Sequence, residues 1–222
     1  MTASPAAHRI DILDLGFRSY QETWDLQKQL QARRIAGEID DTLILVEHEP
    51  VYTIGRNADR SNLRNGYPAD VKIFQVERGG DITWHGPGQL VGYPIIDLHR
   101  YQLSAGWLIR SLEQVLIDTL ADFGITAGLR ADYIGVWTGD EKIAALGVRL
   151  SRWVSMHGFA LNVNPDLRYY SGIIPCGIAD LGVTSMSARL DRTVTLVEVK
   201  PVLLRHFGAV FTAELTESEF YD

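Results

Sequence analysis

A mixed α/β fold of the α+β kind, with strands grouped around one mixed sheet, is what this sequence predicts. Three observations point there. Apolar, β-branched runs come in pairs; only three segments carry helical spacing; and neither G-x-G-x-x-G nor G-x-x-x-x-G-K-[ST] occurs, which disfavours a doubly wound nucleotide-binding sheet. At 222 residues the chain suits one domain. Residues 1–222 therefore read as a single unit, with a flexible lead over about 1–8 and a tail over about 212–222.

The elements follow in order. Arg9 to Leu15 alternates apolar and polar residues, as a half-buried strand does. Ser19 and Glu22 stand at the spacing of a capping box and open a helix that continues to about Ala36. Thr42 to Glu47 and Val51 to Ile54 read as strands around the Glu49-Pro50 turn. Val71 to Glu77 is a strand feeding a glycine-rich stretch, and Gln89 to Ile96 leaves that stretch as another β-branched run. From Ser104 to Phe123, Leu108, Leu112, Val115, Leu116, Leu120 and Phe123 recur at helical spacing, with Gly124 placed to end the helix. Tyr133 to Trp137 and Ile143 to Leu150 are strands joined by a turn over Thr138 to Glu141, so Lys142 sits where the turn re-enters a strand. Val154 to Val163 continues the β series. Tyr169 to Ile178, with Gly172, Pro175 and Gly177, reads as an irregular loop holding Cys176. Thr195 and Glu198 form a second capping-box spacing before a last helix through about Phe211, with Pro201 late enough to kink it.

Composition narrows the function classes. Apolar residues make up 46% and charged residues 22%, ordinary for a globular protein, and the formal charge is -7. Non-specific attraction to nucleic acid or an anionic membrane is therefore not expected. No apolar run is long enough to span a bilayer and no signal-peptide pattern opens the chain, so a cytoplasmic location is expected. Cys176 is the only cysteine, which excludes an intrachain disulfide and a multi-cysteine zinc site.

Chemistry-bearing residues stay ambiguous on spacing alone. Arg78-Gly79-Gly80 and His85-Gly86-Pro87-Gly88 read as two tight turns bracketing an exposed Trp84-His85 corner, built either for close ligand approach or as a bulged hairpin. His85 fits a general base, a ligand holder or a satisfied imidazole. His48, His99 and His157 face the same alternatives; no pair has the i, i+4 spacing of a helical metal site, and no metal is expected. Cys176 is either a small buried apolar side chain or a nucleophilic thiol in an exposed Pro-Cys-Gly loop. Lys142 is either a solvated turn charge or the group that lowers that thiol's pKa.

In this order, RGGDITWHGPGQLVGYPIIDL (Arg78 to Leu98), EKIAALGVR, MHGFALNV and IIPCGI resemble the motifs of the lipoyl(octanoyl) transferases, which use octanoyl carrier protein in lipoate biosynthesis. The likeness spans most of the chain from Val46 to Ser185. It implies a single domain folded like biotin protein ligases and lipoate-protein ligases. It further implies that Cys176 is the acyl-accepting thiol and Lys142 its partner. The acyl and substrate pocket would be lined by Arg78, Gly79, Gly80, Asp81, Ile82, Thr83, Trp84 and His85, by Ala145, Leu146 and Gly147, and by Gly158, Phe159 and Ala160. Trp84 and His85 would shape its entrance.

The implied partners are octanoyl-acyl carrier protein and the apo lipoyl domains of 2-oxoacid dehydrogenase E2 subunits and the glycine cleavage H protein; a monomer is the default expectation. No cofactor is implied, because a thioester donor is already activated and needs no ATP. Backbone N–H groups near Gly147 or Gly177 would hold the tetrahedral oxyanion. Arg56, Arg60, Arg64, Arg149 and Arg152 are candidates for a basic rim that meets an acidic carrier, or are ordinary solvated charges. Two rivals remain. An ATP-dependent lipoate or biotin ligase shares the fold and a lysine resembling Lys142 but has no use for a thiol at position 176. A non-catalytic acyl-binding protein would need neither residue.

Overall fold

The computed structural model describes residues 8–56, 58–64, 71–173 and 182–218. Its organising feature is a mixed sheet in the order β12-β1-β2-β6-β10-β9-β8-β7, with β11 paired to β9. The strands are β1 (His8–Phe17), β2 (Asp41–Glu47), β6 (Gln89–Ile95), β7 (Gly128–Arg130), β8 (Tyr133–Thr138), β9 (Glu141–Ser151), β10 (Val154–Asn162), β11 (Gly182–Val183) and β12 (Ala213–Glu217). The β12-β1, β1-β2 and β11-β9 pairs are parallel; the others are antiparallel. A small second sheet, β4-β3-β5, is built from β3 (Val51–Ile54), β4 (Lys72–Gln75) and β5 (Ile82–His85). The mixed sheet expected from the paired strands is thus present.

Helices cover both faces. α2 (Ala105–Asp122) and α4 (Leu196–Phe211) pack on one face, where Leu108, Leu112, Val115, Leu116 and Leu120 meet Val199, Leu203, Phe207 and Phe211 over Ile10, Leu43, Leu90 and Leu161. Each such side chain contributes about 1.5–3 kcal/mol by leaving water. Ser104 caps α2 by accepting from the Trp107 N–H, and Gly124 follows the helix with a φ of 76°. Thr195 and Glu198 form the reciprocal capping box at α4, and the helix runs unbroken through Pro201.

α1 (Tyr20–Ile35) covers the opposite face in a different way, because its buried stripe is largely polar: Tyr20, Thr23, Gln27, Leu30, Gln31 and Arg34. Those groups hydrogen-bond rather than only pack. The Gln31 amide donates to the Val154 carbonyl at 2.9 Å, and Gln27 Oε1 accepts from the His157 N–H at 2.9 Å. His157 adopts a left-handed φ of 62°, so its N–H turns towards α1. Ser19 accepts from the Glu22 N–H, giving one half of the expected capping box, and Glu49 Oε2 satisfies a different orphan donor by accepting from the Tyr20 N–H at 2.9 Å.

Several expectations are corrected. The tail from about residue 212 is not a tail over its first part: Thr212 caps α4 in the left-handed region, and Ala213–Glu217 then pairs with His8–Ile12 as the edge strand β12. Its two inward apolar residues, Ala213 and Leu215, were too few to mark a strand by themselves. The expected irregular loop from Tyr169 begins inside a 3-10 helix, Leu167–Gly172. A five-residue helix, α3 (Met186–Leu190), and the short strand β7 were not foreseen. Among the described residues, no helix is long and apolar enough to cross a membrane.

Candidate active site

A cavity of about 700 Å³ opens where the small sheet, the segment before β5, β9, β10 and the start of α2 converge. That volume lies within the range usual for small-molecule sites. Arg78, Gly79, Gly80, Asp81, Ile82, Thr83 and His85 line it, as do Ala145, Leu146, Gly147, Gly158, Phe159 and Ala160, with Lys142 in its wall. The three separate stretches expected to form a pocket are therefore brought together. They meet because β9 and β10 are antiparallel neighbours with Gly147 opposite Gly158 and Ala145 opposite Ala160, while Arg78-Gly79-Gly80 lies across them. The Gly79 N–H donates to the Val148 carbonyl at 3.1 Å. A Cβ on Gly147 would sit 2.8 Å from the Gly79 carbonyl oxygen, so this crossing requires glycine in the strand.

Trp84 is the exception. It was expected beside His85 at an exposed entrance, yet it is 0% exposed and does not line the cavity. Both residues lie on β5, and successive side chains of a strand point to opposite faces. Trp84 therefore packs outward into a cluster with Tyr52, Ile54, Ile82 and Ile173, stacked 5.1 Å from the Tyr169 ring, while His85 turns inward.

His85 is a positioned neutral imidazole. Its Nδ1–H donates to Gln89 Oε1 at 2.8 Å, its Nε2 faces Thr53 Oγ1 at 3.5 Å, and its ring stacks on Tyr20. Burial, then the neighbouring His48, push its pKa down to about 3. The ring is thus hydrogen-bonded as a structural imidazole is, and it also lines the cavity. His48 is similar: Nδ1–H donates to the Arg18 carbonyl, Nε2 accepts from the Tyr93 hydroxyl, and burial lowers its pKa to about 4. His157, also on the cavity wall, is pushed down to about 3 by burial and then by Arg78. His99 lies away from the cavity, paired with Asp97.

Arg78 is 8% exposed and braces the segment before β5, donating to the Thr53 carbonyl at 2.7 Å and to Thr53 Oγ1 at 2.9 Å. Asp81 accepts from the Asn62 amide at 2.6 Å. Lys142 is not a solvated turn charge: it is 6% exposed, its ammonium donates to the Ile134 carbonyl at 3.1 Å, and it lies 4.8 Å from the Trp137 ring centroid. Cys176 lies outside the described residues. The described chain resumes at Gly182-Val183, six residues beyond it, where Val183 pairs with Lys142. The arginines offered as a rim, Arg56, Arg60, Arg64, Arg149 and Arg152, do not line the cavity.

Sequence reasoning missed Tyr20, Tyr93, Ile109, Asn162 and Tyr170, which also line it. Gln89 ties several together: its amide nitrogen donates to Asn162 Oδ1 at 2.9 Å and to the Tyr170 oxygen at 3.1 Å. Asn162, which ends the apolar run Phe159-Ala160-Leu161 of β10, was the one local signal for this network. Chemically, the site offers an apolar wall of Ala145, Leu146, Phe159 and Ala160, with the buried Lys142 ammonium at hand.

Residues 19–208 match the lipoyl protein ligase A/B catalytic domain family. An octanoyltransferase of Gloeobacter violaceus is 48% identical over 201 residues, covering 90% of this chain and 89% of its own. Among solved structures, lipoate-protein ligase A bound with ATP aligns at a TM-score of 0.70 and 14% identity over 97% of this chain and 90% of its own. The biotin protein ligase of Aquifex aeolicus aligns at a TM-score of 0.54 and 14% identity over 90% of this chain and 68% of its own. Those two likenesses concern the fold, and they bear out the ligase-like architecture. With three of its motifs gathered around one cavity and its identity to relatives of nearly equal length, the chain belongs to the lipoyl protein ligase A/B catalytic domain family and, within it, to the octanoyltransferases.

Proposed function

We propose that this protein moves an octanoyl group from octanoyl-acyl carrier protein to a lysine of apo lipoyl domains, those of 2-oxoacid dehydrogenase E2 subunits and the glycine cleavage H protein, through a thioester on Cys176. It works as one catalytic domain over residues 1–222, as a monomer, in the cytoplasm. The observation that carries this reading is the convergence of three sequence-distant motifs on one largely apolar cavity with the Lys142 ammonium in its wall.

The chemistry proceeds in two acyl transfers. The Cys176 thiolate, favoured by the positive charge of Lys142, attacks the octanoyl carbonyl. A new sulfur–carbon bond forms, the carrier's carbon–sulfur bond breaks, and the pantetheine thiolate leaves with a proton from the Lys142 ammonium, which becomes a neutral amine able to act as base in the second transfer. The acceptor lysine then attacks the acyl-enzyme as a free amine, Lys142 accepts the proton it sheds, and the Cys176 thiolate departs. The product is an octanoyl amide. The apolar wall holds the acyl chain and keeps water from the thioester. Backbone N–H groups near Gly147 or Gly177 stabilise the oxyanions, each worth on the order of a hundredfold or more in rate.

Intact-protein mass spectrometry tests the reading. The purified chain mixed with octanoyl-carrier protein, without ATP, should gain an octanoyl adduct that an apo lipoyl domain removes, and Cys176→Ala should gain none. Activity that appears only with ATP and free octanoate would assign the protein to the ligases instead.

A further inference from the structure

We infer that Glu113 is a positioning residue for Lys142, acting through the single peptide group that joins Ile134 to Gly135; this rests on the role proposed above for Lys142. Glu113 lies on α2 among residues that face the core, where Ile109, Leu112, Leu116 and Leu120 are all buried, and it is itself 1% exposed. A carboxylate in such a stripe is costly unless its oxygens are hydrogen-bonded. Both are. Oε1 accepts from the Gly135 N–H at 3.1 Å, and Oε2 accepts from Arg110 Nη1 at 2.9 Å at the cavity rim.

The carbonyl of that same peptide group, Ile134 O, is the one that accepts from the Lys142 ammonium at 3.1 Å. One amide plane is thus held between a carboxylate on α2 and an ammonium on β9. A peptide group is planar and moves as a unit, so an acceptor that holds its N–H also fixes where its carbonyl points towards the ammonium. The local backbone is shaped for this bridge. Gly135 has a φ of 140°, and the β8-β9 register shifts between Val136 and Trp137, an irregularity of the kind that re-aims groups beside sites. A Cβ on Gly135 would lie 2.9 Å from the Ala144 carbonyl and 3.0 Å from Lys142 Cε. Glycine therefore lets the peptide turn its N–H to the helix and leaves room for the lysine stem.

If Glu113 sets where the ammonium sits, shortening its reach should weaken the support that Lys142 gives to the thiol. Because Cys176 is the only cysteine, iodoacetamide alkylation reads one site. The pH midpoint of alkylation is measured for the full chain alongside kcat and KM for octanoyl transfer. Glu113→Asp keeps the charge but is one methylene shorter; its alkylation midpoint should rise on the order of one pH unit, and kcat should fall roughly tenfold with KM changed less than about threefold. Glu113→Gln keeps the reach and the acceptor, and should bring kcat to within about twofold of wild type and the alkylation midpoint to within about 0.3 pH unit. Thermal melts fix a temperature at which each variant is folded. If the Asp variant does not fold, Glu113→Met, which fills the site with a flexible apolar side chain, replaces it with the same expectation.

A folded Asp or Met variant whose alkylation profile and kcat overlay wild type overturns the inference, as does a Gln variant as impaired as the Asp one. Failure of the function itself reads differently: a wild-type chain that forms no octanoyl adduct refutes the octanoyl-transfer reading, while the alkylation midpoints still decide whether Glu113 supports the Lys142 ammonium.

Discussion

Mild acid should destabilise this chain well above the pH at which carboxylates protonate, because three imidazoles are buried in the neutral form. Burial is the leading cause at each, and their pKa values fall from the ordinary 6.5 to about 4 for His48 and about 3 for His85 and His157. In the unfolded chain each titrates near 6.5, so the unfolded state binds more protons below that pH. The stabilisation from a depressed histidine is complete above pH 6.5 and is lost as the pH falls towards the folded value. At pH 5 the lag is about 1.5 pH units, worth about 2 kcal/mol for each imidazole at about 1.4 kcal/mol per unit. Three such groups give a limiting slope of about 4 kcal/mol per pH unit and a loss of about 6 kcal/mol by pH 5, comparable with the whole stability of a typical domain. Asp41, whose pKa burial raises, works in the opposite direction and offsets part of this. Urea unfolding at pH 7.5, 6.5, 5.5 and 5.0, at fixed ionic strength, measures it. The midpoint should fall steeply below pH 6.5, and His157→Gln should remove about a third of the fall. A stability that changes by less than about 1 kcal/mol between pH 7.5 and 5 would refute the reasoning.

Three further outcomes are expected. Trp84→Ala should cost about 3–5 kcal/mol in urea unfolding while leaving octanoyl-adduct formation by the folded fraction near wild type, since the indole packs away from the cavity. Arg34→Ala leaves the fully buried Asp41 carboxylate without its 2.7 Å partner; a loss of about 3–5 kcal/mol is expected, measured by the same unfolding curves, towards the lower end because Arg100 remains 3.7 Å from Asp41. Gly147→Ala forces the Gly79 carbonyl away from β9. Single-turnover adduct formation should slow on the order of tenfold, and an unchanged rate would show that the segment before β5 can move without consequence.

The contrast between Trp84 and His85 explains how much of the site could be read in advance. Their chemistry was plain in the sequence, but which of two adjacent residues meets the cavity depends on whether they stand on a turn or a strand, and glycines on either side concealed β5. Gly147 and Gly158 were legible as motif members, yet their role as facing positions on paired strands comes only from register. Glu113 was passed over because a helical pattern is counted from its apolar members. A carboxylate at the same spacing, four residues after Ile109 and three before Leu116, reads as a polar position until its partner on β8 is known. The edge strand β12 was similarly hidden, since its pairing with β1 joins the two ends of the chain.

Taken alone, the sequence determined the element types, the mixed-sheet class, the family motifs and the residues around which a pocket would form. These rest on period, capping and residue chemistry, all of which act over a few neighbouring positions. The tertiary structure decided what those signals cannot carry. It set which faces of β5 and α2 look into the cavity, neutralised three imidazoles by burial, and brought the ammonium of Lys142 and the carboxylate of Glu113 to opposite ends of one peptide group. Each of these depends on contacts between segments far apart in the chain, whose geometry is set by sheet register and helix docking and by no local pattern.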